Sequence, residues 1–277
     1  MLAREFGRDS AVIALGGGVI GDLAGFVAAT FMRGIPVVQI PTTLVAMVDA
    51  SIGGKTGVDT DAGKNLVGIF HPPAAVVIDP QTLGTLPLRE IRAGIAEIVK
   101  HGAIADEAYL RRVAGALPKV LSADDQTSDS MLSLIVPSVE IKADIVSRDE
   151  REGGLRKTLN FGHTIGHAVE LVSGYSLLHG EAVSIGMALE ARLAERIGLA
   201  QAGTAATISE VLRSAGLPTE LPDGFDREAV VGAMRSDKKG LSGKIRFALP
   251  LRIGEMAGSE TGWTVSVSDD RLREVLA

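Results

Sequence analysis

Residues 11–22 read AVIALGGGVIGD, and this run decides the fold. Ala11–Leu15 is short, apolar and partly β-branched, the composition of a buried strand. Gly16-Gly17-Gly18 ends it, and a helical stretch from Asp22 to Phe31 follows. Gly16, Gly18 and Gly21 satisfy G-x-G-x-x-G between a strand and a helix, the setting that motif requires. Such glycines let backbone approach a diphosphate, and the helix N-terminus offers amide donors and a positive dipole end. A Gly-rich turn can also be a packing device, and the usual ribose-binding carboxylate is missing. Where it is expected, the chain reads Gln39-Ile40-Pro41-Thr42-Thr43. Outward from the run, Ile35–Ile40 and Ala75–Ile78 are two further strands. Strands alternating with helical stretches imply parallel pairing in a doubly wound α/β sheet.

The pattern changes near Pro87. Leu88–Ile104, Met131–Val146, Leu159–Val172 and Glu181–Ile197 repeat apolar residues at helical spacing, and Gly243–Met256 reads as a small hairpin. Ser122–Ser130 reads as an exposed loop. The expected organisation is a partial, Rossmann-like α/β domain at 1–86 and a mainly helical domain at 87–277. With 277 residues, 46% hydrophobic, a sizeable core is affordable. A net charge of -6 disfavours non-specific nucleic-acid binding. The absence of cysteine removes disulfides, thiolate ligands and a Cys nucleophile, and fits a cytoplasmic location. Met1–Ser10 lacks the apolar core of a signal peptide, and no apolar run is long enough to cross a membrane.

Gly53-Gly54-Lys55-Thr56-Gly57 and Gly63-Lys64-Asn65 read as Gly–Lys loops whose Lys55, Lys64 and Asn65 present donors to an anion. Asp49 stands where a P-loop needs its first glycine, which argues against that motif. Of five histidines, His163, His167 and His179 crowd together, with the first two one helical turn apart. Imidazoles without thiols suit Zn²⁺ or a similar divalent ion. A carboxylate can complete a three-ligand set, and spacing leaves Glu97, Glu170 and Glu181 open. Arg156, Asn160 and His163 fall at roughly helical spacing, so one face can present all three. Lys142, Glu152, Lys238 and Lys239 extend this polar set.

These residues sit in long motifs. Ala14–Asp22, Gln39–Thr43, Gly53–Gly57, Gly63–Asn65, Ala96–Lys100, Leu159–His167, His179–Glu181 and Asp237–Lys239 occur in the order found in 3-dehydroquinate synthases. The chain resembles that family over essentially its whole length. The resemblance implies a lyase of the shikimate pathway, serving chorismate and aromatic amino acid biosynthesis, that uses NAD and a divalent metal, Zn or Co. It implies a sugar phosphate substrate and a homodimer. It implies Glu97, His163 and His179 as metal ligands, and Gly16, Gly17, Gly18, Asp22, Thr42, Thr43, Asp49 and Lys64 as NAD contacts. Lys55, Asn65, Lys100, Lys142, Glu152, Arg156, Asn160 and one of Lys238 or Lys239 are implied as substrate contacts. His167 is implied as a proton-handling group, and Arg33 as an arginine reaching across a dimer interface.

Family members carry a further segment before Ala11–Leu15, and Met1–Gly7 looks like the end of a helix following it. The expectation is therefore a chain that holds metal but binds NAD weakly by itself. Three alternatives compete: a related sugar phosphate cyclase, a glycerol-dehydrogenase-like alcohol dehydrogenase, and a non-catalytic paralogue. Arg156 and Asn160 argue for a carboxylate-bearing substrate. The intact Glu97, His163, His167 and His179 argue against loss of catalysis.

Overall fold

The computed structural model describes residues 1–60, 63–122, 129–237 and 245–277. Strand β1 (Val12–Gly16) runs into helix α1 (Gly18–Thr30), and the chain returns as β2 (Val37–Pro41). Strand β5 (Ala75–Val76) completes a parallel sheet of order β1-β2-β5, as the alternation predicts. The helix starts four residues earlier than the sequence suggests, because Gly18–Gly21 itself forms its first turn. Close approach explains Gly21: a Cβ there would lie 2.8 Å from Gln39 Oε1, and Gln39 Nε2 donates to Gly21 O at 3.1 Å.

Between β2 and β5 the two Gly–Lys segments are not free loops. They open an antiparallel hairpin, β3 (Lys55–Thr60) with β4 (Gly63–Phe70), which places Lys55, Lys64 and Asn65 on strands. Glycine at 53, 54, 57 and 63 masked the alternation on which strand reading depends. Before the hairpin, Ala46–Ala50 forms a π-helical turn, closed by Ser51 N donating to Ala46 O at 3.1 Å. Such turns re-aim side chains and recur at functional sites.

The rest is mainly helical: α2 (Leu88–Ala105), α3 (Glu107–Val120), α4 (Asp129–Arg148), α5 (His163–Val172), α6 (His179–Arg196), α7 (Thr204–Ser214), α8 (Arg227–Asp237) and α9 (Asp269–Leu276). Helix α2 is central. Ile91, Ile95, Ile98 and Val99 are fully buried, and the polar Glu97, Lys100 and His101 are buried with them. Asp106 turns α2 into α3, accepting from Tyr109 N at 2.9 Å as an N-cap. Helices α5 and α6 pack almost backbone to backbone, since a Cβ on Gly186 would fall 1.9 Å from Gly162 O.

Two expectations are corrected here. Leu159–Val172 is not one helix: Leu155–Asn160 is a 3-10 turn, and Gly162, at φ +79°, separates it from α5. Arg156, Asn160 and His163 therefore do not share a helix face. The expected C-terminal hairpin is present only over Pro250–Met256, and the strand before it pairs elsewhere. Strand β6 (Ile245–Phe247) pairs with β9 (Val265–Val267), and β7 (Pro250–Arg252) with β8 (Glu255–Met256). A long-range partner such as β9 leaves no local signal.

Candidate active site

The parallel register brings Gly16 opposite Pro41 at the carboxyl ends of β1 and β2, and Thr42 N donates to Gly16 O at 2.9 Å. Gly16–Gly18, Thr42 and Thr43 thus share the crevice where open α/β sheets take nucleotides. Asp22 lies on α1 beside them. Burial, then the neighbouring carboxylates Asp49 and Asp59, push its carboxyl up to about 6.

The π-helical turn links this crevice to the helices. A Cβ on Gly18 would touch Ala50 at 3.5 Å, and the adjacent Asp49 meets lysines of the helical half. Lys142 Nζ donates to Asp49 Oδ1 at 2.6 Å, and Lys100 Nζ lies 3.8 Å from the same oxygen. Lys100 also pairs with Glu97, one turn back on α2. Burial opposes charge on Glu97. Lys100, and then His179 and His163, outweigh it and hold the carboxyl well below the usual carboxylate range.

Glu97 is fully buried, and its Oε1 accepts no hydrogen bond of normal geometry. That oxygen faces His179 Nε2 at 3.4 Å and His163 Nε2 at 3.6 Å. The three donor atoms lie within 4.8 Å of one another. Each ring is braced on its far side. His163 Nδ1 is 3.1 Å from Phe161 O, and His179 Nδ1 is 3.4 Å from Glu170 Oε2. With Nδ1 held on the far side, each ring turns its Nε2 toward Glu97, the orientation of metal-binding histidines with outer carbonyl or carboxylate partners. Burial opposes a charge on His179. Glu170 and Glu97 outweigh it and raise the imidazole to about 9, so the spot favours a cation. His163 is driven well below the ordinary histidine value, by burial first and then by Lys100. Two nitrogens and one carboxylate oxygen in a buried, thiol-free pocket fit a divalent ion with a coordination position left open.

The structure separates the three carboxylates that spacing left open. Glu97 joins the histidines. Glu170 stands behind His179. Glu181 turns away, accepting from Leu178 N at 2.9 Å and forming a two-pronged ion pair with Arg89 at 2.7 Å. His167 joins the cluster, its ring 5.2 Å from that of His163 and 5.9 Å from that of His179. The other two histidines are elsewhere engaged. His71 Nε2 lies 2.9 Å from Ile35 O, and buried His101 bonds Ser138 Oγ at 2.7 Å. Burial and then Lys100 lower His101 to about 3. Asp49, Glu97 and His101 form a second close group, but Lys100 and Lys142 already neutralise its carboxylates.

A rim of further predicted residues gathers around Glu152, a left-handed residue at φ +60°. Lys55 pairs with Glu152, and Asn160 Nδ2 donates to it at 2.5 Å. Arg156 is buried, donating to Gly53 O at 2.9 Å and to Glu150 O at 2.5 Å, and it ties the hairpin to the 3-10 turn. Arg33 is exposed on the turn after α1. Lys238, Lys239 and the side chains of Lys64 and Asn65 lie outside those described.

The family models for the N-terminal and C-terminal parts of 3-dehydroquinate synthase match residues 1–93 and 94–240. The chain belongs to the 3-dehydroquinate synthase family. A 3-dehydroquinate synthase of Symbiobacterium thermophilum is 50% identical over 270 residues, covering 97% of this chain and 73% of that one. Among solved structures, a 2-epi-5-epi-valiolone synthase from Streptomyces hygroscopicus subsp. jinggangensis, with NAD+ and Zn2+ bound, matches at TM-score 0.88 and 31% identity. It is covered over 74% of its chain, and this chain over 99%. A 2-deoxy-scyllo-inosose synthase complexed with carbaglucose-6-phosphate, NAD+ and Co2+ matches at 0.87 and 28%, over 99% of this chain and 76% of that one. The family thus has a parallel-sheet N-terminal part and a helical part here, as the sequence predicts.

Proposed function

We propose that this chain converts 3-deoxy-D-arabino-heptulosonate 7-phosphate into 3-dehydroquinate and phosphate in the cytoplasm. The observation that carries the reading is the convergence of Glu97, His163 and His179 beside the Asp49–Lys100–Lys142 ion cluster. The 50% identity to a 3-dehydroquinate synthase supports the choice of reaction. Glu97, His163 and His179 hold the divalent ion. Gly16–Gly18, Asp22, Thr42, Thr43, Asp49 and Lys64 hold NAD. When bound, the ion would supply Lewis-acid polarisation of a substrate hydroxyl, and NAD would supply reversible hydride transfer with no net redox change.

The chain's own residues bind, orient and move protons. Lys100 and Lys142 supply fixed positive charge beside the developing oxyanion, and Asp49 keeps both ammonium groups in place. His167 is the proton carrier next to the ion. Glu152 aligns Lys55 and Asn160 as substrate donors. Arg156 uses two N–H groups on backbone carbonyls, which leaves the second N–H of each terminal nitrogen for a substrate carboxylate. Lys55, Asn65 and Lys238 or Lys239 meet the rest of the substrate. In a homodimer, Arg33 of the partner subunit reaches toward the phosphate.

Phosphate release at saturating NAD+ and Zn²⁺ or Co²⁺, compared across sugar phosphates with and without a carboxylate, tests the reading. Release should be confined to the carboxylate-bearing substrate, with no NADH accumulating. Accumulation of NADH, or turnover only of carboxylate-free sugar phosphates, would overturn it.

A further inference from the structure

Glu190 is a carboxylate with no part in the reaction as derived above, yet it is fully buried, on α6 three turns beyond His179. Two of its partners lie at the start of the neighbouring helix, α5. Oε2 accepts from Gly162 N at 2.7 Å, and Oε1 from Ile165 N at 2.9 Å. Those amides belong to the first turn of α5, the turn that carries His163. Gly162 is the N-cap of α5, and as a glycine it offers no side chain to the orphan amide groups there. Ser, Thr, Asp or Asn normally fills that role from the cap position. A side chain at Gly162 is excluded sterically, because its Cβ would lie 2.4 Å from Met187 Cγ and 2.9 Å from Val183 O. The cap is instead delivered by the neighbouring helix.

We propose that Glu190 is a positioning residue for the metal site, acting through His163. This rests on the assignment of His163 as a metal ligand. The carboxylate grips the amides on both sides of His163, at 162 and 165. It thereby fixes the rotation and height of α5 against α6, and so the positions of His163 and His167 relative to His179. It also holds the Phe161–Gly162 corner, whose Phe161 carbonyl braces His163 Nδ1. Two charge-assisted hydrogen bonds in a dry interior are short and directional, and a negative charge at a helix N-terminus is favoured by its dipole. The close approach of Gly186 to Gly162 leaves α5 little freedom once this grip is made.

Glu190→Gln tests the idea, because the amide keeps the shape but retains one acceptor oxygen and turns an N–H donor toward a backbone N–H. Zn²⁺ affinity is measured by competition with a chelator, and the visible spectrum of the Co²⁺-loaded chain reports ligand geometry. Leu193→Ala, a buried change on the same helix, controls for lost stability. Glu190→Gln should weaken Zn²⁺ binding ten- to hundredfold and alter the Co²⁺ bands, as loss of an outer-shell partner does. Leu193→Ala should lower the melting temperature with affinity and spectrum unchanged. Wild-type affinity and spectrum in Glu190→Gln, or equal losses in both variants, would overturn the proposal. If Glu190→Gln does not fold, Glu190→Asp, one methylene shorter with the charge kept, is read against the same control and the same two outcomes. His163→Ala separates the two readings. If it keeps its metal, the ligand assignment fails. If it loses metal while Glu190→Gln does not, only the positioning role fails.

Discussion

The nucleotide half and the helical half finish their cores very differently. Around the parallel sheet, the buried cluster consists of Ala14, Ala28, Ile35 and Val37. Large apolar side chains beside it stay open to solvent: Ile13 is 67% exposed, Leu15 63% and Val19 78%. Strand β1 is also an edge of its sheet. The helical half closes around α2 and around the α5–α6 pair, with charged groups buried inside: Glu97, Lys100, His101 and Glu190. A closed interior can hold charges in fixed geometry, because desolvation makes every partner count. An open sheet presents backbone donors at strand ends but exerts weaker control over what sits on them. The chemistry accordingly concentrates at the seam, where Asp49 reaches from the sheet side into the helical ion cluster.

The strongest way to break this contrast is His163→Ala. It should lower divalent-metal affinity by on the order of a hundredfold or more, since even outer-shell losses cost 10- to 100-fold. Metal analysis after dialysis and circular dichroism should together give a folded, metal-poor chain. Full occupancy would show that the helical half does not hold the ion through this residue.

Paired core substitutions sharpen the contrast. Ile98→Ala, in a fully buried position, should cost about 2–5 kcal/mol in urea unfolding. Leu15→Ser, on the open sheet face, should stay within about 0.5 kcal/mol. Comparable losses would mean that the sheet face is covered in solution.

Arg156→Lys keeps the charge and loses the fork that joins Gly53 to Glu150. A fall of roughly 30- to 150-fold in kcat/KM, about 2–3 kcal/mol, is expected. An unchanged kcat/KM would remove Arg156 from the substrate site.

The smallest effect concerns Asp22. Its carboxyl titrates at about 6 in the folded chain against an ordinary 3.8. Between those values the native state holds the extra proton, so this group costs stability above pH 6 and the cost disappears as pH falls toward 4. Asp22→Asn should therefore stabilise the NAD-free chain at pH 8, by roughly 1 kcal/mol after allowing for partial solvent exposure, and leave it unchanged near pH 4. A stability difference that grows toward acid would contradict the raised value.

Local patterns settled what depends on neighbours in sequence. The AVIALGGG run, the helical spacing of α2 and α6, and the i, i+4 pair His163–His167 were all legible, because strand composition and helix period act over a few residues. The resemblance singled out Glu97, which spacing had left level with Glu170 and Glu181. Only the tertiary structure gave those two glutamates their separate tasks, one behind His179 and one bound to Arg89. It alone revealed the β3–β4 hairpin, whose glycines hide alternation, and the break at Gly162 that takes Arg156 and Asn160 off the His163 face. It alone paired Glu190 with α5 across 25 and 28 residues. Burial and hydrogen bonding between distant segments depend on which surfaces meet in space, and no sequence window contains both surfaces.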